Sequence, residues 1–282
     1  MNKLMLLGVV VMAACSPDNR GLEKKIDDLT KKVDTLLSQP RAGAAAQQRP
    51  QRNEPDRAKV YALPVEGDPF DGPADAKVTL VKAYDYACPY CEKVRETMED
   101  LRKKYGNDLR VVFKQFVVHP QVATAPALAV CAANKQGKFL QMDALLWDKG
   151  FKARSFDKDG AAEAGGQSQK CWESAAGCPI VIGFAQELGL NVDKFKADMK
   201  GECQAQIQRD QRELQALSVS ATPSFFINGR FMAGAMPMEN FVTLIDEELK
   251  KANEKIQAGT PAASYYQQVV LDKGLKTVEK PQ

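Results

Sequence analysis

Between residues 60 and 258 the apolar positions follow two patterns in turn. Short β-branched runs suit buried strands, and longer stretches with a helical period separate them. Val78 to Tyr84 is the first such run and Leu109 to Val118 the second. Glu92 to Tyr105, between them, has a helical period and stops before Gly106. Gln121 to about Leu217 reads as mainly helical, with breaks near Gly150, Gly160 and Gly165-Gly166. Ser224 to Asn228 returns to a strand pattern, Asn228-Gly229 forms a tight hairpin turn, and Arg230 to Ala233 is the return strand. Met238 to Gln257 is an amphipathic helix, and residues 259–282 form a tail with a turn of helix at Tyr265 to Leu271. The fold class this pattern predicts is α/β, with a helical insertion at about 121–217.

The segments before residue 60 have other patterns. Lys3, the apolar Leu4 to Met12 and the small Ala13-Ala14 make residues 1–14 an export signal. Its apolar stretch is too short for an ordinary transmembrane helix. Met12-Ala13-Ala14-Cys15 resembles a bacterial lipobox, which implies that Cys15 carries lipid and anchors the chain as a periplasmic lipoprotein of the cell envelope. Met12 stands where Leu is usual, and the alternative is an ordinary secretory signal cleaved nearby. Either reading sends the chain to a compartment that permits disulfides. In residues 21–38, Leu22, Leu29 and Leu36 take heptad position d, and Ile26 and Val33 position a. β-branched a with Leu at d favours a parallel coiled-coil dimer. A seam this short is marginal alone, and the alternative is a spacer helix. Residues 39–59, with Pro40, Pro50 and Pro55 among Gln, Ala and Arg, form a flexible linker.

Charge removes one class of function. The 282 residues carry 39 Lys and Arg against 36 Asp and Glu, net +3. That balance gives no field for nucleic acid. The cysteine count adds to the picture, because seven is odd and setting Cys15 aside leaves six. Cys88 and Cys91 form one motif. Cys131, Cys171, Cys178 and Cys203 can make two structural disulfides in three pairings. Cys171 and Cys178 could close a small ring, and Cys203 could meet Cys131 if their helices pack together. Free buried thiols or an auxiliary redox pair are the alternatives.

Cys88-Pro89-Tyr90-Cys91 lies directly after the first strand and directly before a helix. A sulfur there sits near unpaired backbone N–H groups and the positive end of the helix dipole. Both favour the thiolate, the reactive form. Cys91 is one helical turn on, close enough to attack a mixed disulfide formed at Cys88. Pro89 suits the first turn, where its missing N–H is no loss. Zinc would need further ligands at suitable spacing; there is no second CxxC, and His119 is the only His. The motif therefore predicts disulfide exchange with no metal and no cofactor.

The order strand, CxxC helix, strand, helical insert, hairpin, helix resembles the thioredoxin fold with a helical insertion, as in DsbA-like thiol:disulfide oxidoreductases. Cys88 to Cys91, Ala221-Thr222-Pro223-Ser224-Phe225-Phe226-Ile227-Asn228-Gly229, and Val118-His119-Pro120 with the stretch to Asp143-Ala144-Leu145-Leu146 carry the resemblance. It implies Cys88 as nucleophile, Cys91 as resolving thiol, a cis peptide at Pro223 beside them, and strand-like pairing of substrate with the Thr222 backbone. Tyr90 replaces the His of strongly oxidising members, which implies a less depressed Cys88 pKa than theirs. Lys82 stands where members often bury an acid that relays the resolving Cys proton, so it departs from that pattern, and it reads either as a stabiliser of the Cys91 thiolate or as a residue pointing to solvent. Asp85, nearer the motif, reads as a surface loop residue in preference to a substitute for that acid, and His119 as a residue that caps or orients the insert, with a catalytic role as the alternative. Implied partners are cysteine-containing envelope proteins and a membrane redox partner. The insert favours an oxidase; Thr222 and a dimeric stalk favour an isomerase or reductase. A binding lipoprotein with the motif locked as a disulfide is the rival from another class.

Overall fold

The computed structural model describes residues 20–38, 54–156, 162–164 and 167–278. The export signal, Cys15 and residues 39–53 of the linker lie outside the described residues. Helix α1, Arg20–Ser38, forms a unit by itself. On it Ile26, Leu29 and Val33 are exposed.

The second unit is built on a five-stranded sheet. Its strands are β1 (Phe70–Asp71), β2 (Val78–Tyr84), β3 (Leu109–Gln115), β6 (Ser224–Ile227) and β7 (Arg230–Ala233), in the order β1-β3-β2-β6-β7. β2 runs parallel to β3 and antiparallel to β6. As the central strand it is buried throughout, which explains its run of apolar residues without alternation. Side chains still alternate between faces. Val78, Leu80 and Tyr84 join one core with Val111, Phe113, Phe225 and Ile227. Val81 and Ala83 join the other, with Val112, Phe226 and Phe231. The turn between β6 and β7 needs Gly229, whose φ is +82° and where a Cβ would come within 2.6 Å of the Tyr61 carbonyl oxygen.

Helices α2 (Pro89–Lys93) and α3 (Arg95–Tyr105) follow β2. The insert runs through α4 (Pro120–Asn134) and α5 (Phe139–Leu145), which continues as a π-helical turn over Leu146–Phe151. It then includes strands β4 (Ala162–Ala164) and β5 (Gln167–Gln169), and helices α6 (Pro179–Glu187), α7 (Val192–Lys200) and α8 (Glu202–Ala216). Helix α9, Met238–Gln257, packs on the first core. This is the α/β thioredoxin-like fold with a helical insertion.

Several boundaries differ from the sequence reading. The helix expected from Glu92 begins at Pro89 and is interrupted at Val94. The strand expected to reach Val118 ends at Gln115, because the Val118 and His119 N–H groups turn to the Asp85 carboxylate. The short strands β1 and β4–β5 were not expected, the latter because Gly165-Gly166 reads only as a break. Residues 54–59 lie against the domain, with the Asp56 N–H donating to the Tyr61 hydroxyl at 2.8 Å. The tail is also held: Leu275 pairs with Tyr61, and the Tyr266 hydroxyl donates to the Leu63 carbonyl at 2.8 Å.

Candidate active site around Cys88 and Cys91

β2 ends at Tyr84, and the next four residues set the first cysteine. Cys88 is the N-cap of α2, with extended backbone angles and Pro89 at the first helical position. Its carbonyl accepts from the Cys91 N–H at 3.1 Å and the Glu92 N–H at 3.3 Å. Both thiols are free. Cys88 is nearly covered and Cys91 fully so, while Tyr90 between them is 61% exposed. The dithiol thus presents one sulfur near the surface and keeps the other beneath it.

The Thr222-Pro223 peptide is cis. It stands opposite the motif, and the Cys88 thiol donates to the Thr222 carbonyl at 3.3 Å. Thr222, Pro223 and the two cysteines are therefore brought together. Pro89 and Tyr90 flank them on α2.

The electrostatics separate the two sulfurs. The Cys88 pKa falls from 9.0 to about 6. Its largest cause is the hydrogen bond with the Cys91 side chain, followed, against the opposing effect of burial, by the Thr222 side chain and the N–H groups of Cys91 and Tyr90. Cys91 moves far upward, first because it is buried and then because its proton is held by Cys88 and opposed by a charge there. The two thiols are thus distinguished by environment alone.

Asp85 is a correction to the sequence reading. It is fully buried rather than at the surface. Its Oδ1 accepts from the Ala87 N–H at 2.6 Å, and its Oδ2 from the N–H groups of Val118 at 2.6 Å and His119 at 2.8 Å. It joins the loop before Cys88 to the start of the insert. His119 is the N-cap residue of α4, but its side chain forms no capping bond; its Nδ1 lies 3.2 Å from Asp85 Oδ2. Lys82 does not point to solvent; it is buried in the sheet floor.

The remaining cysteines are joined in two pairs. Cys131 of α4 bonds Cys203 of α8, and Cys171 bonds Cys178 just before α6. Among the described residues no group of three or more His, Cys, Asp or Glu is placed to hold a metal ion.

Sequence reasoning missed a polar network under the motif. Gln115 Nε2 donates to the Tyr84 hydroxyl at 2.6 Å, the Tyr84 and Tyr86 hydroxyls lie 3.1 Å apart, and Tyr86 donates to Asp143 Oδ1 at 2.6 Å. Asp143 comes from α5, so only the folded insert brings it here. Its place in a helical run gave no signal of this.

The thioredoxin family model matches residues 65–247, which include the whole site. The chain belongs to the thioredoxin family. Among solved structures it is similar to alpha-DsbA1 of Wolbachia pipientis, at 18% identity and a TM-score of 0.53 over 69% of this chain and 96% of that one. It is also similar to BdbD of Bacillus subtilis, at 21% identity and a TM-score of 0.51 over 68% and 98%. A thioredoxin-like oxidoreductase from Silicibacter pomeroyi DSS-3 matches at 23% identity and a TM-score of 0.50 over 66% and 94%. These likenesses are of fold, and the fold is DsbA-like.

The curated relatives are of another kind. The Na(+)/H(+) antiporter NhaA of Herminiimonas arsenicoxydans is 32% identical over 196 residues, 68% of this chain but 27% of the antiporter. A second antiporter, NhaA 1 of Salinispora arenicola, is 31% identical over 61% of this chain and 23% of its own length. The chain spans about a quarter of the length of these relatives. No helix among the described residues is long and apolar enough to cross a membrane.

Proposed function

We propose that this thioredoxin-family protein is an exported thiol:disulfide oxidoreductase that passes disulfides to cysteines of cell-envelope proteins. The observation that carries this reading is the asymmetry of the dithiol. Cys88 lies at a helix N-terminus with its pKa drawn down to about 6, over a buried Cys91 that keeps its proton. A thiolate near ambient pH beside a shielded resolving thiol is the arrangement that exchange needs.

In the oxidising direction a substrate thiolate attacks Cys88 Sγ of the Cys88–Cys91 disulfide. That S–S bond breaks, a substrate–Cys88 bond forms, and Cys91 leaves with the electron pair and takes up a proton. A second substrate thiolate then attacks the substrate sulfur of the mixed disulfide. The substrate leaves oxidised, and Cys88 leaves as the thiolate its surroundings stabilise. During the exchange, Thr222 and Pro223 form the wall along which a strand-like substrate segment lies. A separate membrane redox partner reoxidises the pair.

The export signal and lipobox supply the location, with Cys15 lipidated and the domain held at a membrane by residues 15–59. Oxidation is favoured because stabilising the Cys88 thiolate stabilises the reduced form and makes the disulfide a better oxidant. The exposed Ile26, Leu29 and Val33 of α1 support a second reading, a dimeric isomerase or reductase joined through residues 21–38. The reduction potential decides between them, measured against glutathione on the chain lacking Cys15. A potential near about −120 mV supports disulfide donation, and one near about −270 mV overturns it in favour of reduction or isomerisation.

A further inference from the structure

A cavity of about 530 Å³ opens beside the dithiol, on the side of the insert. That volume falls within the range of about 300–1,000 Å³ usual for ligand pockets. Ala87 and Pro89, the residues on either side of Cys88 in the chain, form one wall. Val122 of α4 and the rings of Phe151 and Phe156 form the rest of its apolar lining. Two cations, Lys152 and Arg154, complete it. Thr222 and Pro223 are not among its walls, so it is separate from the surface assigned above to the substrate backbone.

Local structure fixes these walls. The π-helical turn over Leu146–Phe151 closes with the Lys152 N–H donating to the Trp147 carbonyl at 3.1 Å, and the chain then doubles back, with the Ser155 N–H donating to the Gly150 carbonyl at 3.0 Å. Phe156 is thereby laid on Gly150, where a Cβ would come within 2.3 Å of the ring. Phe151 packs edge-on against Trp147 with ring centres 5.5 Å apart, and Trp147 lies 4.9 Å from Tyr86, the residue before Ala87. The two cations differ. Lys152 is already paired, with Asp148 at 3.1 Å and Glu92 at 3.6 Å. Arg154 is exposed and forms no ion pair among the described residues. An apolar cavity with one unpaired guanidinium is complementary to an apolar side chain with a carboxylate close by.

We propose that this cavity is a specificity subsite, which receives an apolar side chain one or two positions from the reacting cysteine of the substrate while Arg154 pairs with an acidic side chain next to it. The proposal rests on the exchange reading above. The spacing fits. Ala87 and Pro89 are each one residue, about 3.8 Å between Cα atoms, from Cys88, and an extended substrate advances about 3.3 Å per residue. With the substrate cysteine at Cys88 Sγ and its backbone along Thr222, a neighbouring side chain reaches the cavity. The apolar contact supplies most of the discrimination, because both partners leave water there. The Arg154 pair is exposed and adds a smaller increment. Arg154 touches the substrate away from the reacting sulfurs, so it sets the choice of substrate and leaves the chemistry of the dithiol alone. The insert thus distinguishes among thiols that the two cysteines by themselves treat alike.

The test mixes the oxidised protein with an excess of short reduced peptides that carry two cysteines and differ only in the pair of residues beside the first: Phe-Glu, Phe-Gln, Phe-Lys and Ala-Glu. Samples are quenched in acid and weighed by mass spectrometry. Each rate of peptide oxidation is divided by that peptide's rate with bis(2-hydroxyethyl) disulfide, which removes the effect of its charges on its own thiols. Phe-Glu is expected to exceed Ala-Glu about tenfold and Phe-Gln about threefold, with Phe-Lys the slowest of the Phe peptides. Arg154→Gln is expected to equalise Phe-Glu and Phe-Gln while keeping the advantage over Ala-Glu, and Arg154→Glu to put Phe-Lys first. Salt at about 1 M is expected to remove the preference for charge and spare that for Phe. Equal normalised rates for all four peptides with the wild-type protein overturn the subsite, and this measurement needs no variant. A preference for Glu that survives unchanged in both Arg154 variants overturns the role of that residue. Failure of the wild-type protein to oxidise any of the peptides overturns the exchange reading instead.

Discussion

The sulfur of Cys88 lies 3.3 Å from the carbonyl oxygen of Thr222, a residue 134 positions further along the chain. As a thiol, Cys88 donates to that oxygen; as a thiolate it forfeits the bond. The Cys88 pKa is nevertheless drawn down to about 6, so the bonds it accepts, chiefly from Cys91, outweigh the loss and the cost of burial. Reduction therefore takes up two protons below about pH 6 and one above it. The reduction potential is expected to fall by about 59 mV per pH unit on the acid side and by about 30 mV per unit on the neutral side. A titration of the potential with pH checks this, and a single slope through neutrality contradicts the ionisation assigned to Cys88.

Cys91 is buried and holds its proton. The two cysteines should fail differently when replaced. Cys91→Ser is expected to retain the first step and accumulate a mixed disulfide on Cys88, because nothing remains to displace the substrate sulfur. Cys88→Ser is expected to form no such adduct at neutral pH, since the Cys91 thiol is shielded and un-ionised. Mass spectrometry after incubation with oxidised glutathione distinguishes them. Rapid adduct formation on the Cys88→Ser protein would show that the roles are reversed.

Asp85 fixes the loop that carries Cys88. Its carboxylate accepts three backbone N–H groups, those of Ala87, Val118 and His119. Asp85→Ala leaves these donors orphaned in a buried setting, a loss of about 3 kcal/mol or more at about 1–3 kcal/mol for each unsatisfied group. The urea midpoint is expected to fall accordingly. Asp85→Asn keeps one acceptor oxygen and is expected to recover only part of the loss. An unchanged midpoint in Asp85→Ala would mean that water or a shifted loop satisfies the three groups.

The strands, the motif helix and the hairpin were legible in the sequence because each is set by local pattern. β2 is a continuous apolar run, and Asn228-Gly229 needs positive φ, which it has. The dithiol was legible because CxxC at a strand-to-helix junction is itself a short-range device. What could not be read was anything assembled from distant positions. Asp85 looks like a loop residue until Val118 and His119 fold back on it. Asp143 is one polar residue of an insert helix until α5 is laid under the motif. Two-residue β1 carries too little pattern to be seen, and exists because the Val111 and Val112 edge of β3 is available to pair.

The two disulfides span very different loops. Cys131–Cys203 closes 72 positions and Cys171–Cys178 only 7. In the chain-entropy account a longer loop restricts the unfolded chain more, which gives about 4 kcal/mol for the first and about 2 kcal/mol for the second. Cys131→Ala with Cys203→Ala is therefore expected to lower the denaturation midpoint roughly twice as far as Cys171→Ala with Cys178→Ala. Equal losses would place the value of these bonds in local packing rather than in the loops they close.

Helix α1 leaves Ile26, Leu29 and Val33 exposed, at 54%, 62% and 51%. They fall on one seam at heptad spacing, while Lys and Asp occupy much of the rest of the helix. Another helix of the same pattern could cover a seam of this kind, and β-branched a positions with Leu at d favour two strands. The helix is short, so a dimer held by it alone dissociates on dilution. Light scattering on the chain lacking Cys15 is expected to give a mass that rises with concentration towards that of a dimer, and deleting residues 21–38 is expected to hold it at the monomer. An identical mass with and without the segment would leave α1 as a spacer. It would also remove the paired active sites on which the isomerase reading depends, leaving oxidation by a single domain.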